Sequence, residues 1–436
     1  MQSRTFKQGI HPPEKKELSK DKKIEKVPLP PQVIIHLSQH TGAPCRPLVG
    51  KGDEVEEGQK IGDHDAFISC PVHSSISGKI TSIEKLPHPT LGEGEAILIE
   101  NKGDEEKKWE EMETDLFSLS PEKIREKVRE AGIAGMGGAA FPTHVKLSPP
   151  PAKKIDSIIL NGCECEPYLT ADYRVMIERI EDCIFGLKAI MRSCGAKNGY
   201  IGIENNKKDA IKLMQERMRN EESIETIPLK TKYPQGGEKM LIKAILKREV
   251  PSGGLPLDVG VVVSNVGTAC AISDTLKKEK PLVERVITVT GDGVEKPSNL
   301  LVKIGTPIKY ILKLCGLKEE AKCIIMGGPM MGISQWSLDI PVVKGTSGIL
   351  ILTEDKIEAE EEQICIRCAR CVDHCPMGLL PTTLIKFIKA ERWEDLEKLN
   401  LMDCIECGCC SYVCPSKIPI VQLIKWGKNE FHKISS

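Results

Sequence analysis

Two cysteine runs restrict the fold of this chain more than any other feature. The first reads Cys365-Ile-Arg-Cys368-Ala-Arg-Cys371-Val-Asp-His-Cys375-Pro376, and the second Cys404-Ile-Glu-Cys407-Gly-Cys409-Cys410-Ser-Tyr-Val-Cys414-Pro415. Both contain C-x2-C-x2-C-x3-C-P, the spacing with which bacterial chains hold paired iron–sulfur clusters. Three thiolates set two residues apart wrap one cluster, while the fourth points away and reaches the other. The following proline ends the turn and releases a helix. The spacing therefore assigns Cys365, Cys368, Cys371 and Cys414 to one [4Fe–4S] cluster, and Cys404, Cys407, Cys410 and Cys375 to a second. Cys409 fits neither set. Zinc usually takes separated ligand pairs, so two tandem full runs speak against it.

Nine of the eighteen cysteines fall within residues 365–414, a clustering unlike that of a disulfide scaffold. Residues 1–26 are polar and charged, with no apolar core of a signal peptide. No apolar run reaches the roughly 18 residues that span a bilayer, so a role at a membrane would depend on partners. The formal net charge of −1 and 4% aromatic content exclude an ordinary nucleic-acid binder.

Residues 28–101 alternate short β-branched runs with turns at Gly50-Lys-Gly-Asp53, Glu57-Gly58 and Ser77-Gly78. The string from Val49 to Gly58, followed by Val72 to Gly78, resembles the biotinyl/lipoyl barrel-sandwich family. The hairpin that would present a modifiable lysine is absent, which implies a structural or docking module. His36, His40, His64 and His73 are irregularly spaced and read as surface or turn histidines.

A charged linker follows, then Ser120-Pro121, a serine cap with proline at the first helical position. That helix ends at Gly132, where a glycine-rich loop begins: Gly132-Ile-Ala-Gly135-Met-Gly137-Gly138-Ala-Ala-Phe141-Pro142-Thr143-His-Val-Lys146. It is not a dinucleotide fingerprint, because a helix rather than a strand precedes it. Clustered glycines still let backbone N–H groups close on a phosphate or a flat ring. The buried strand expected over 155–160 runs into Asn161-Gly-Cys-Glu164-Cys-Glu166-Pro167, and ligands bind past the carboxyl ends of such strands. A helix is expected over 172–194, with Cys183 and Cys194 on its apolar face. Strands over 199–204, 224–229 and 259–264, with helices over 207–219 and 238–248, complete an α/β sheet domain. Two further loops end its elements, Tyr233-Pro-Gln-Gly236-Gly237-Glu238 and Ser264-Asn265-Val-Gly267-Thr268.

These loops resemble those of the NADH-binding flavoprotein subunit of respiratory complex I, and more closely those of the C subunit of the Rnf electron-transport complex. The resemblance implies that Gly135, Gly137, Gly138, Lys146, Asn161, Glu164, Gly237, Glu238, Asn265 and Thr268 hold FMN. It places Phe141 and Glu166 near the nicotinamide of NAD(H). Cys163 stands where the complex I family has an aspartate, and Lys239 where it has a second glutamate. Residues 285–332 resemble the family's soluble-ligand-binding β-grasp domain (SLBB), with Cys315 and Cys323 expected as buried structural thiols.

The expected architecture is a multidomain α/β chain. A barrel-sandwich, lipoyl-like module covers 1–105, an FMN- and NADH-binding α/β domain 115–282, an SLBB-like β-grasp domain 283–350, and a helical ferredoxin-like domain with two [4Fe–4S] clusters 355–436. One helix is expected between the cysteine runs, over 384–399. By resemblance, the chain would be a peripheral subunit on the cytoplasmic side of the cell membrane, in a membrane-bound Rnf-type complex. There it would pass electrons between NADH and ferredoxin, the latter directly or through a partner subunit, with ion translocation coupled by other subunits. Two alternatives share parts of the pattern: an NADH-dependent cobalamin reductase of the propanediol-utilisation type, and an electron relay that binds no nicotinamide. The cysteine pattern predicts about eight iron atoms per chain after anaerobic purification. Iron analysis reading about four or fewer would refute the two-cluster assignment.

Overall fold

The computed structural model describes residues 4–103, 106–357 and 361–435, with nothing described of the Ser435 side chain. At its centre lies a parallel four-stranded sheet in the order Ile224–Leu229, Asn198–Glu204, Ser157–Gly162, Val261–Asn265. Ile158, Ile159 and Leu160 are wholly enclosed, as befits strands covered by helices on both faces. The chain steps outward from Ser157–Gly162 through two neighbours, then returns to pair Val261–Asn265 on the opposite flank. Loops leaving these two adjacent strands diverge, which makes the switch point where open α/β sheets take ligands. Asn161 and Asn265 are register partners at that point.

Helix Pro121–Glu130 begins as its sequence requires: Ser120 Oγ accepts from the Lys123 N–H at 3.2 Å, with proline in the first turn. The single helix expected over 172–194 is two, Ala171–Glu178 and Ile180–Cys194. Arg179 interrupts it at φ −130° and ψ 37°, while its guanidinium donates to Asp182 and to Asp274, each at 2.9 Å. Apolar spacing continues across the break, so periodicity alone could not reveal it. Cys183 is buried as expected, and Cys194 is only partly so. The helix expected over 384–399 is likewise divided, into Pro381–Lys389 and Trp393–Lys398. Glu391 lies between them at φ 53°, outside any right-handed helix.

Two small antiparallel sheets build the barrel sandwich. One orders Gln32–His36, Gly92–Asn101, Gly78–His88 and Glu54–Val55; the other orders Arg46–Pro47, Lys60–Asp63 and Val72–His73. Their interior, including Val33, Ile61, Ile80 and Ile97, is continuous with the core of the parallel sheet. The histidines correct an expectation. His36, His40 and His73 are buried, and burial pushes their imidazoles down to about 4, about 4 and about 3. They are neutral hydrogen-bonding groups of the interior, and among these four only His64 is partly exposed.

The β-grasp sheet is mixed, ordered Ile24–Lys26, Ser298–Lys303, Glu284–Thr290, Gly348–Thr353, Ala321–Met326, Ile333–Ser334, and covered by helix Ile308–Cys315. Its first strand comes from early in the chain, a contribution that local patterning does not disclose. Cys315 is buried as expected, but Cys323 is only partly buried.

Barrel and β-grasp sheet are joined by a buried ion cluster. Lys303 Nζ donates to Glu57 Oε1 and Glu284 Oε2, both at 2.9 Å, with side chains 5%, 1% and 13% exposed. Burial alone would raise the Glu284 carboxyl, but Lys280 and Lys303 outweigh it and hold it at about 2, below its ordinary 4.5. Because the folded value is depressed, this carboxylate contributes its full stability above pH 4.5, and that contribution is lost as pH falls toward 2. Lys303→Met should destabilise the protein by about 3–5 kcal/mol, since it leaves the buried Glu57 carboxylate without this cation and Glu284 with Lys280 alone. Thermal denaturation at neutral pH checks this, and a wild-type midpoint in the variant would contradict it.

Candidate functional site

Four loops meet at the switch point of the parallel sheet. In the glycine loop, the Gly135 N–H donates to the Phe141 carbonyl at 2.9 Å, and the Met136 N–H to Thr268 Oγ1 at 3.0 Å. Gly137 lies so close to Asn265 that an added Cβ would fall 2.7 Å from Asn265 Nδ2, so only glycine permits this approach. A Cβ on Gly138 would meet nothing within 4 Å. Open space therefore lies above a backbone that carries no side chains.

The other loops close around it. Asn161 Nδ2 donates to the Gly236 carbonyl at 2.9 Å, and its Oδ1 accepts from the Cys163 N–H at 3.1 Å. Lys146 Nζ pairs with Glu238 Oε1 at 2.8 Å, and both side chains are about one-third exposed. Gly237 and Glu238 open helix Glu238–Leu246, and Asn265 caps helix Val266–Lys278 by accepting from the Gly267 N–H at 2.8 Å. Gly135, Gly137, Gly138, Lys146, Asn161, Gly237, Glu238, Asn265 and Thr268 thus come together beside two helix N-termini, which favour anionic groups. Within this group Glu238 accepts from Lys146, while the Asn265 side chain accepts from the Gly267 N–H and donates to Asp172.

The two remaining acids behave differently. The Glu164 carboxylate accepts from the N–H groups of Asp172 and Tyr173 at 2.7 and 3.1 Å, and so caps helix Ala171–Glu178. Glu166 accepts from the N–H groups of Met330 and Met331 at 3.1 and 2.9 Å. Each of its oxygens accepts one bond from the β-grasp loop. Burial raises the Glu166 carboxyl to about 7, against the lowering effect of those two amides. Phe141 is partly buried next to the glycine loop.

Sequence reasoning passed over three residues. Asp172 is partly buried and accepts from Asn265 Nδ2 at 2.6 Å; desolvation and then Glu164 push its carboxyl up. It stands in the first turn of its helix, where an acid is an ordinary feature. Gln235 Nε2 is buried with no acceptor among the described residues. Tyr233 is 1% exposed, and its hydroxyl donates to the Cys407 carbonyl at 2.8 Å. No local signal marks either of the last two, because Thr5, which donates to Gln235 Oε1, and Cys407 lie far away in sequence.

Tyr233 leads directly to the cysteine segment. Cys375, Cys404, Cys407 and Cys410 line one cavity that opens partly to solvent. Backbone N–H groups of Leu379 and Glu406 point at the Cys375 and Cys404 sulfurs, each at 3.4 Å. Cys409, expected to be a bystander, borders the same cavity and is fully buried. Of the other set, Cys371 is buried, Cys365 and Cys414 are partly buried and Cys368 is exposed. Helix Ile420–Ser435 closes the domain with Ile420 and Ile424. Its Gly427 sits where a Cβ would come within 2.5 Å of Ile388. Lys428 donates to the Cys404 carbonyl at 2.7 Å, so the helix packs on the cysteine loop.

Known families match the chain region by region. The RnfC barrel sandwich hybrid domain matches residues 4–104, the Nuo51 FMN-binding domain 128–274, the SLBB domain 286–334 and the 4Fe-4S dicluster domain 364–418. The C subunit of the proton-translocating ferredoxin:NAD(+) oxidoreductase complex of Clostridium ljungdahlii is 47% identical, over 98% of this chain and 94% of its own length. The chain belongs to the same family, that of the Rnf C subunits. An Acetobacterium woodii member, named for a Na(+)-translocating complex, is 45% identical over 98% of this chain and 97% of its own. An air-oxidized NAD+-reducing [NiFe]-hydrogenase superposes with a TM-score of 0.50 at 18% identity, over 66% of this chain and 59% of that one, which speaks for the fold alone.

As an Rnf C subunit, the protein has an FMN-binding domain and a 4Fe-4S dicluster domain. Its residues fit both groups. The bare glycine backbone with open space at Gly138 suits a flat ring, and the orphaned Gln235 amide lies in an adjoining loop. Thiols from both cysteine runs bordering one cavity suit a cluster ligated across the runs. Two departures from the complex I pattern also acquire surroundings. Cys163 is buried, with its thiol pushed well up by burial, and Lys239 faces Asp403 of the cysteine segment at 3.7 Å. Cys375→Ala should deplete the cluster built on Cys404, Cys407 and Cys410, seen as a loss of about half the iron and of one of two EPR signals. Loss confined to the signal of the Cys365, Cys368 and Cys371 cluster would refute the crossed ligation.

Proposed function

We propose that this chain is the flavin- and cluster-bearing subunit of an ion-translocating ferredoxin:NAD(+) oxidoreductase complex, held by partner subunits on the cytoplasmic side of a membrane. The Tyr233 hydroxyl on the Cys407 carbonyl carries the reading, because it joins a loop of the flavin site to a loop of the cluster site. No helix among the described residues is long and apolar enough to cross a membrane, so attachment through partners suits the chain.

Bound FMN supplies the exchange between two-electron hydride chemistry with NAD(H) and one-electron chemistry with the clusters. The chain's own residues place and insulate that chemistry. Gly137 lets the loop close on Asn265 and Gly138 leaves one face of the site uncovered, as hydride transfer demands near contact of roughly 3–3.5 Å between reacting atoms. Lys146 and the N-termini of the helices after Gly237 and Asn265 offset negative charge there. Asn161 and Asn265 fix the loops from adjacent strands, and Phe141 offers an aromatic surface to a dinucleotide. Cys375, Cys404, Cys407 and Cys410 would hold the cluster next to Tyr233, and Cys365, Cys368, Cys371 and Cys414 the other.

A second reading, an electron relay without nicotinamide binding, draws on Glu166 and Lys239. One is occupied by the Met330 and Met331 amides, and the other faces Asp403. Anaerobic stopped-flow mixing with NADH separates the two readings. Flavin absorbance should bleach in the flavin-loaded chain, and Phe141→Ala should raise the NADH concentration needed by roughly tenfold while FMN stays bound. A loaded chain that never bleaches would favour the relay.

A further inference from the structure

The early segment of the chain, residues 4–22, does not join the barrel. It runs across the parallel-sheet domain and on to the cysteine segment. Arg4 bridges Leu229, Ile10 pairs with Tyr233, and the Gly9 N–H donates to the His374 carbonyl at 3.2 Å. Farther on, the Tyr168 N–H donates to the Glu14 carbonyl at 2.8 Å. Lys16 is the most enclosed charge of this arm, 8% exposed. Its ammonium donates to the carbonyls of Glu164 and Glu166, both at 2.9 Å, and of Leu169 at 2.5 Å. All three acceptors belong to the loop that follows strand Ser157–Gly162.

A second buried ammonium takes the preceding carbonyl. Lys207 Nζ donates to Cys163 O at 2.6 Å and is balanced by Glu204 at 3.3 Å. The carbonyls of residues 163 and 164 therefore both point at lysines. Across a trans peptide the N–H of the next residue points the opposite way, and only Tyr233-Pro234 is cis among the described residues. The N–H groups of Glu164 and Cys165 thus face away from the ammonium ions. Among the described residues, neither donates to a protein acceptor. Glu164 and Tyr168 also sit at φ 45° and 69°, left-handed values that cost a non-glycine residue energy unless its surroundings impose them. The three bonds from Lys16 span this strained stretch.

We propose that Lys16 is a positioning residue of the flavin site: it holds the 163–169 loop so that the Glu164 and Cys165 N–H groups face the isoalloxazine, and its charge, which has no carboxylate at hydrogen-bond distance among the described residues, favours electrons on the bound flavin. This rests on the reading of the switch-point loops as the FMN site. Lys16 reaches no reacting atom. It acts through backbone, so both affinity and potential report on it.

The test uses the full chain with its clusters. FMN is titrated by fluorescence quenching and the flavin midpoint potential is measured anaerobically, for wild type, Lys16→Met and Lys16→Arg. Lys16→Met should weaken FMN binding by at least about tenfold and move the potential to more negative values. Lys16→Arg keeps the charge but cannot direct one compact ammonium at three converging carbonyls. It should weaken FMN binding while leaving the potential near wild type. If Lys16→Met fails to fold, as judged by circular dichroism, the Arg variant decides by the same two readings. Wild-type affinity and potential in a folded Lys16→Met, or wild-type affinity in Lys16→Arg, would overturn the proposal. Wild-type protein that takes up no FMN would overturn the site reading itself, a result distinct from either.

Discussion

Buried ammonium groups hold this structure's irregular segments in shape. A lysine taken out of water loses several kcal/mol of hydration, and the loss is recovered only where several oxygens converge on the charge. Lys344 illustrates the arrangement: it is 1% exposed and donates to the carbonyls of Pro71 and Gly132 at 2.6 and 2.7 Å. It thereby ties the barrel to the first residue of the glycine loop. Lys207 does the same for the end of a central strand, and Lys303 for the junction of barrel and β-grasp sheet. Loops have no hydrogen-bond ladder of their own. In this protein, charges from distant segments supply the missing constraint, and the open face at Gly138 depends on it.

The cysteine segment meets the rest of the chain through fewer and more polar contacts. Asp403 accepts from Ser252 Oγ at 2.5 Å and from the Gly253 N–H at 3.1 Å, and it faces Lys239. Tyr233 adds its bond to Cys407, within a small apolar cluster that includes Ile10 and Cys409. Lys239 is one of the positions at which the chain departs from the complex I pattern, so that substitution belongs to the interface between the two redox regions as much as to any nucleotide. The same reasoning applies to Glu166, whose two amide partners come from the β-grasp loop.

Much of this was legible in the sequence, for reasons that differ by element. Ser120-Pro121 and strand Ser157–Gly162 carry their signals locally, in a cap and in the apolar run Ile158-Ile159-Leu160. The cysteine spacing encodes a ligation pattern without any knowledge of the fold. The break at Arg179 was not legible, because the ion pair that makes it lies with Asp274, 95 residues away. The buried histidines were misread because a neutral imidazole on a strand looks the same in sequence as a charged one at the surface. Lys16 and Asp172 hid among ordinary polar residues, and only tertiary structure shows that the first is buried and that the second accepts from Asn265 at the switch point. The family resemblance pointed to the loops that meet at the switch point, but it could not say that Glu164 serves a helix end and Glu166 a neighbouring domain.

The arm that carries Lys16 has a consequence for how the molecule comes together. Its partners lie as far along the chain as Asn299, whose Nδ2 donates to the Ser19 carbonyl across 280 residues, and His374 in the cysteine segment. Contacts of such separation close late, after the entropy of a very long loop has been overcome. Until then the 163–169 loop and the neighbouring cysteine cavity lack their outer wall. A chain whose arm has not yet fastened would therefore leave both loops without the cover that the arm gives them.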